Sequence, residues 1–119
     1  MKVNEIATIV GAEILCGANQ KDLEIDSAFG SDMMSDVLAF VNDRAVLLTG
    51  LVNAQVIRTA EMMDMPCIVF VRGKKPTEEM IELANERGII LLATAFRMYE
   101  ACGKLYAAGL PARRDAGEQ

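Results

Sequence analysis

Three apolar runs, Val46-Leu47-Leu48, Ile68-Val69-Phe70-Val71 and Ile89-Ile90-Leu91-Leu92, begin about twenty-two residues apart. Each is followed by a small polar loop and then a helix-like stretch. The runs are apolar throughout rather than alternating, as strands covered on both faces are, and parallel sheets carry helices on both faces. The spacing leaves room for one helix per connection, and such crossovers are right-handed. The second half of the chain is therefore expected to form a small, mostly parallel sheet flanked by helices, an α/β fold. The first half is expected to supply further strands or a cap. The trailing loops Thr49-Gly50, Arg72-Gly73-Lys74-Lys75 and Thr94-Ala95 then emerge at one edge, where open α/β folds bind ligands.

Local signals place the helices. Asn53 is positioned to cap a helix running to about residue 63, with Val56, Ile57, Ala60 and Met63 on one face. Pro66 breaks the chain before the second run. Thr77 caps the next helix, Glu78 and Glu79 suit its first turn, and Gly88 ends it. A last helix is expected over about 96–106, with Phe96, Tyr99, Cys102 and Tyr106 as its stripe. Upstream, Asn4 is the expected cap of a helix to about Val10, with Gly11 at its end. Strands are expected at 12–16 and 23–25, with a turn between them. The polar segment 26–32 reads as a loop leading into a short helix at 34–40. Residues 1–110 make one domain, and 111–119, with little to bury, an expected mobile tail.

The charge balance narrows the partners. Seventeen acidic against twelve basic residues give a net charge of −5, which disfavours nucleic acid and acidic membrane surfaces. No run of eighteen apolar residues is present, and the N-terminus does not read as a secretory signal. Cys16, Cys67 and Cys102 are odd in number and form no CxxC pair, and the chain contains no His. A metal site is not expected, and reduced thiols fit a cytoplasmic protein. No cofactor is indicated. Eight Met residues suit core or interface filling.

The loop chemistry is suggestive rather than catalytic. Arg72-Gly73-Lys74-Lys75 brings three cations behind a buried strand, with Gly73 permitting close backbone approach, which suits an anionic ligand such as a nucleotide phosphate. A solvated turn punctuated by Pro76 is the alternative, because Glu78 and Glu79 already offset the dipole of the next helix. Thr49-Gly50 with Asn53, and Thr94, can hold a polar group or cap their own helices. Asp26, Ser27, Ser31, Asp32, Ser35 and Asp36 form an acidic, hydroxyl-rich patch that can bind Mg²⁺ or simply serve turns. Without His, a Ser or Cys nucleophile needs Lys or a carboxylate as base, and no spacing suggests one.

The stretches Leu47-Leu48-Thr49-Gly50-Leu51-Val52-Asn53, Val69-Phe70-Val71-Arg72-Gly73-Lys74-Lys75-Pro76 and Leu92-Ala93-Thr94, with Leu23 to Asp32 upstream and Ala101-Cys102-Gly103-Lys104-Leu105-Tyr106 at the end, resemble the DRTGG domain over nearly the whole chain. The resemblance implies a fold similar to the N-terminal domain of HPr kinase/phosphorylase. It also implies a regulatory position, since such domains sit beside CBS pairs, CbiA-type domains or phosphotransacetylase catalytic domains. The name-giving residues depart from the pattern. Val52 and Asn53 stand at the Asp-Arg positions, and Arg72, Gly73 and Lys74 at the Thr-Gly-Gly positions. No GxxxxGK[ST] loop is present, which excludes a P-loop kinase.

The sequence therefore points to a noncatalytic regulatory or interaction module, expected to be homodimeric because a small sheet has edges to protect. The segment Met62-Met63-Asp64-Met65 and the tail are candidate contributors. A small anionic ligand is expected at Gly50, Asn53, Arg72, Gly73, Lys74 and Thr94. The alternatives are a Mg²⁺-dependent phosphate-handling enzyme using Asp26 and Asp32, and a protein-binding adaptor without ligand.

Overall fold

Residues 1–40 and 44–112 are described in the computed structural model. In chain order the elements are α1 (Val3–Ile9), β1 (Glu13–Cys16), β2 (Ser27–Gly30), α2 (Met34–Phe40), β3 (Ala45–Thr49), α3 (Ala54–Met62), β4 (Cys67–Phe70), α4 (Glu78–Arg87), β5 (Ile90–Ala93) and α5 (Met98–Ala107). The three apolar runs become β3, β4 and β5, adjacent and parallel, each buried along its whole length. The sheet order is β1-β5-β4-β3-β2, with β1 alone antiparallel.

Chain order from β2 to β5 follows sheet order. Three right-handed crossovers in one direction must therefore place α2, α3 and α4 on the same face. Alternation of side chains along each strand then builds two cores. Leu47, Ile68, Phe70 and Leu91 pack with Met34, Val37, Val56, Ile57, Ala60 and Met80 on that face. Val46, Leu48, Val69 and Leu92 pack on the other with Val3 and Ile6 of α1, Val10 just after it, and Ala101 and Leu105 of α5. Burial on both faces is the reason the strand sequences do not alternate. The arrangement is the expected small, mostly parallel α/β sheet flanked by helices.

The caps of the second half form as read. Asn53 accepts from the Val56 amide at 3.2 Å, Thr77 accepts from the Met80 amide at 3.2 Å, and Gly88 takes the left-handed conformation at φ 72°. Four expectations are corrected. Lys2 is the first cap, not Asn4, and its amide donates to Glu5 Oε1 at 2.9 Å. Residues 23–25 form only an isolated bridge, Lys2 with Glu24, while the loop expected at 26–32 contains the edge strand β2. The turn expected between the two upstream segments forms, as a 3-10 turn over Ala18–Gln20. The stripe expected for the last helix is half right: Phe96 and Cys102 pack against the core beside the buried Ala101 and Leu105, whereas Tyr99 and Tyr106 are exposed.

Of the methionine segment, Met65 is core and Met62 exposed. Pro111 and Ala112 lie along β2, the Ala28 amide donating to Pro111 O at 3.0 Å. The rest of the expected tail, 113–119, falls outside the described residues.

Candidate functional site

The carboxyl ends of β3, β4 and β5 are stitched together by backbone hydrogen bonds. The Val71 amide donates to Thr49 O at 3.0 Å and the Thr94 amide to Phe70 O at 2.9 Å. After β4 the chain turns tightly, with the Lys74 amide donating to Val71 O at 3.2 Å. Both central residues of this turn have positive φ, Arg72 at 64° and Gly73 at 71°. Two-residue turns of this hand favour Asn-Gly, so glycine is at home at the second position and arginine is strained at the first. The turn is held in place by its own amides. Arg72 N donates to Phe96 O at 2.8 Å, and Gly73 N to Thr94 O at 2.9 Å. Gly50, Arg72, Gly73 and Thr94 thus form one rim, with Lys74 closing the turn.

The strained backbone aims the Arg72 side chain across the rim. Its Nη2 donates to Gly50 O at a long 3.5 Å, and a β-carbon on Gly50 would lie 2.5 Å from that nitrogen. The guanidinium thus rests on the bare α-carbon of Gly50. From the other side Asp32 satisfies the same turn. Its Oδ1 accepts from Gly50 N at 2.6 Å and from Thr49 Oγ1 at 3.1 Å, and Thr49 Oγ1 accepts from Leu51 N at 3.1 Å. The Gly50 amide is therefore already occupied by a carboxylate of the chain itself. Thr94 is likewise committed: its buried hydroxyl donates to Val10 O at 2.6 Å and accepts from Phe96 N at 3.2 Å.

What remains open to a ligand is cationic. Lys75 pairs with Glu13 at 3.6 Å, but neither Arg72 nor Lys74 has an ion-pair partner among the described residues. Both side chains are exposed, as is Arg97 three residues after Thr94. Asn53 stands apart from this group. It lines a cleft of about 360 Å³ between α3 and α4, whose walls include Arg58, Glu79, Glu82 and Glu86 and are mainly acidic.

Asp26 and Asp32 lie at opposite ends of β2, about 20 Å apart at the rise of a parallel strand. Asp26 pairs with Arg44 at 3.1 Å, far from the Thr49-Gly50 turn that holds Asp32, so the two do not form a shared metal site. No group of three or more acidic or sulfur ligands comes together among the described residues. Burial raises the titration of all three thiols, Cys67 most strongly, which keeps them protonated and unreactive near neutrality.

The family model for the DRTGG domain matches residues 5–108, which include every strand and helix of the sheet and its covering layers except the first residues of α1. The chain belongs to the DRTGG domain family. Among solved structures it is similar to the CBS and DRTGG domains of the regulatory region of Clostridium perfringens pyrophosphatase, complexed there with its activator diadenosine tetraphosphate. The TM-score is 0.74 at 17% identity, covering 97% of this chain and 51% of that one. The likeness is one of fold, and the chain spans about half the length of that neighbour. No curated protein matches the chain.

The DRTGG fold explains where the departures from the family signature fall. Val52 is half-buried and packs on the α3 side of the sheet, while Asn53 caps α3. Gly73 occupies the second left-handed position of the β4 turn, and Arg72 its strained first position. Sequence reading did not place Asp32 at this rim. Asp32 follows Gly30 by two residues, and only recognition of β2 as a strand would have put its trailing loop at the same edge.

Proposed function

We propose that this DRTGG domain is a noncatalytic regulatory module that takes a small anionic ligand, of the nucleotide or phosphate class, at the rim formed by Gly50, Arg72, Gly73, Lys74 and Thr94. Arg72 and Lys74 make the contact. Gly50 lets the guanidinium lie flat, Gly73 allows the turn, Thr94 anchors it, and Asn53 fixes the start of the helix beside it. The observation that carries this reading is the pair of exposed rim cations without carboxylate partners among the described residues, one of them held by a strained backbone. A planar guanidinium with free donors is suited to bidentate phosphate recognition. Asp32 keeps the anion off the Gly50 amide and on the Arg72 side.

The regulatory region of the pyrophosphatase, which shares this fold, binds a nucleotide activator as a whole, and this supports the ligand class proposed here. The module acts as a homodimer in the cytoplasm and passes occupancy to a protein partner. Its three free thiols fit that compartment, and no helix among the described residues is long and apolar enough to cross a membrane.

The test is a thermal-shift and calorimetric screen with AMP, ADP, ATP, diadenosine tetraphosphate and inorganic phosphate, on the protein and on the Arg72→Ala/Lys74→Ala variant. A ligand at a hundred times its dissociation constant adds about 2.7 kcal/mol, on the order of 10 °C in melting temperature. The expected result is a shift that weakens with salt and is lost in the variant. A flat screen up to millimolar concentration, or an equal shift in the variant, overturns the reading and leaves the ligand-free adaptor.

A further inference from the structure

We propose that the outer face of α5 is the surface through which two copies of this chain associate, crossing antiparallel at Gly103. This rests on the homodimer reading above and adds its location, and it is independent of the rim ligand. Tyr99 and Tyr106 are 92% and 72% exposed and lie four residues before and three after Gly103, on one side of the helix. With Cys102 and Gly103 they border an apolar cleft of about 350 Å³ between α5 and β2, whose far wall carries Ala28 and Pro111.

Nothing among the described residues accounts for Gly103. It sits inside a ten-residue helix, where glycine is a poor choice, and a β-carbon there would meet nothing within 4 Å among the described residues. Gly30 is different, since its β-carbon would strike Cys102 Sγ at 2.8 Å. A helical glycine that no described residue requires, between two exposed aromatic side chains, fits the close approach of another helix.

Shape and charge both favour a second copy as that helix. The face carries knobs, the tyrosines, beside its own hole, the Gly103 cleft. A two-fold axis at Gly103 sets the two glycines against each other, where the helices come closest, and brings Tyr99 beside Tyr106 of the partner subunit, so that the one surface is its own complement. Glu100 and Lys104 lie on one flank of the face, and in an antiparallel crossing the same flanks meet. Glu100 then faces Lys104 of the partner subunit. The chain's acidic excess lies elsewhere, on α4 with Glu78, Glu79, Glu82 and Glu86 against Arg87, whereas α5 with its cap carries Arg97, Glu100 and Lys104. Two copies of an acidic protein can approach here without like-charge repulsion.

Sedimentation or light scattering across a concentration series tests the proposal. The expected species has twice the 12.9 kDa chain mass. Gly103→Arg is expected to run as a monomer with unchanged circular dichroism, because the open space at that position accommodates a side chain in the single chain. Glu100→Lys and Lys104→Glu are each expected to weaken association several-fold, about what two exposed ion pairs supply, and the double exchange to restore it. A wild-type monomer at every concentration overturns both the homodimer and this surface. A wild-type dimer that survives Gly103→Arg overturns the surface alone. Neither outcome bears on nucleotide binding, which is read separately.

Discussion

The guanidinium of Arg72 lies on the α-carbon of Gly50, one strand away, so closely that a β-carbon there would stand 2.5 Å from Nη2. Two turns that are twenty-two residues apart in the chain thus share one surface. Gly50→Ala separates their roles. The obstacle is the movable end of a side chain, not backbone, so the variant should fold normally with the guanidinium pushed aside. Affinity for the best phosphate-bearing ligand should fall by about tenfold, or ~1.4 kcal/mol, by calorimetry. Unchanged affinity would mean that the guanidinium does not touch the ligand.

Arg72→Asn should separate stability from binding. Asn tolerates the left-handed region that Arg72 occupies at φ 64°, and Asn-Gly is the preferred pair for this turn. Relief of the strain should raise stability by about 1 kcal/mol, a few degrees in melting temperature, while ligand response is lost. A drop in melting temperature would show that the contact with Gly50 outweighs the backbone strain.

Thr94→Ala should destabilise by about 1–3 kcal/mol in urea unfolding, since it leaves the Val10 carbonyl and the Phe96 amide unpaired in a buried place. Thr94→Ser keeps the hydroxyl and should recover most of the loss. If serine behaves like alanine, the methyl packing of Thr94 matters more than its two hydrogen bonds.

Cys67 should make the protein sensitive to alkali. Burial lifts its thiol well above the ordinary 9.0, so the native state keeps a proton that the unfolded chain releases. That stability is complete below pH 9 and is lost as pH rises, at up to ~1.4 kcal/mol per unit from this group. Denaturation midpoints measured from pH 8 to 10.5 should fall in the wild type and fall less in Cys67→Ala. Parallel slopes would remove Cys67 as the cause.

The residues that announced themselves did so through local physics. The runs at 46, 68 and 89 read as strands because burial on both faces demands uninterrupted apolar sequence, and Asn53, Thr77 and Gly88 marked helix ends because capping is a property of a few consecutive residues. β2 escaped because an edge strand, with one neighbour and partial exposure, tolerates Ser27 and Gly30 and resembles a loop. Tyr99 and Tyr106 enter the expected α5 stripe because tyrosine counts as apolar in a periodicity argument, whereas the helix turns Ala101 and Leu105 inward, with Phe96, Met98 and Cys102 partly buried beside them.

Sequence alone determined that the loops after three strands would share an edge, because apolar runs at helix-length spacing have few other ways to bury themselves. Only the folded chain decided which loop atoms are still available there. Asp32 takes the Gly50 amide, Val10 takes the Thr94 hydroxyl, and Arg72 and Lys74 are left facing water. Those outcomes depend on hydrogen bonds between residues 18 and 84 positions apart, and no local pattern encodes contacts of that reach.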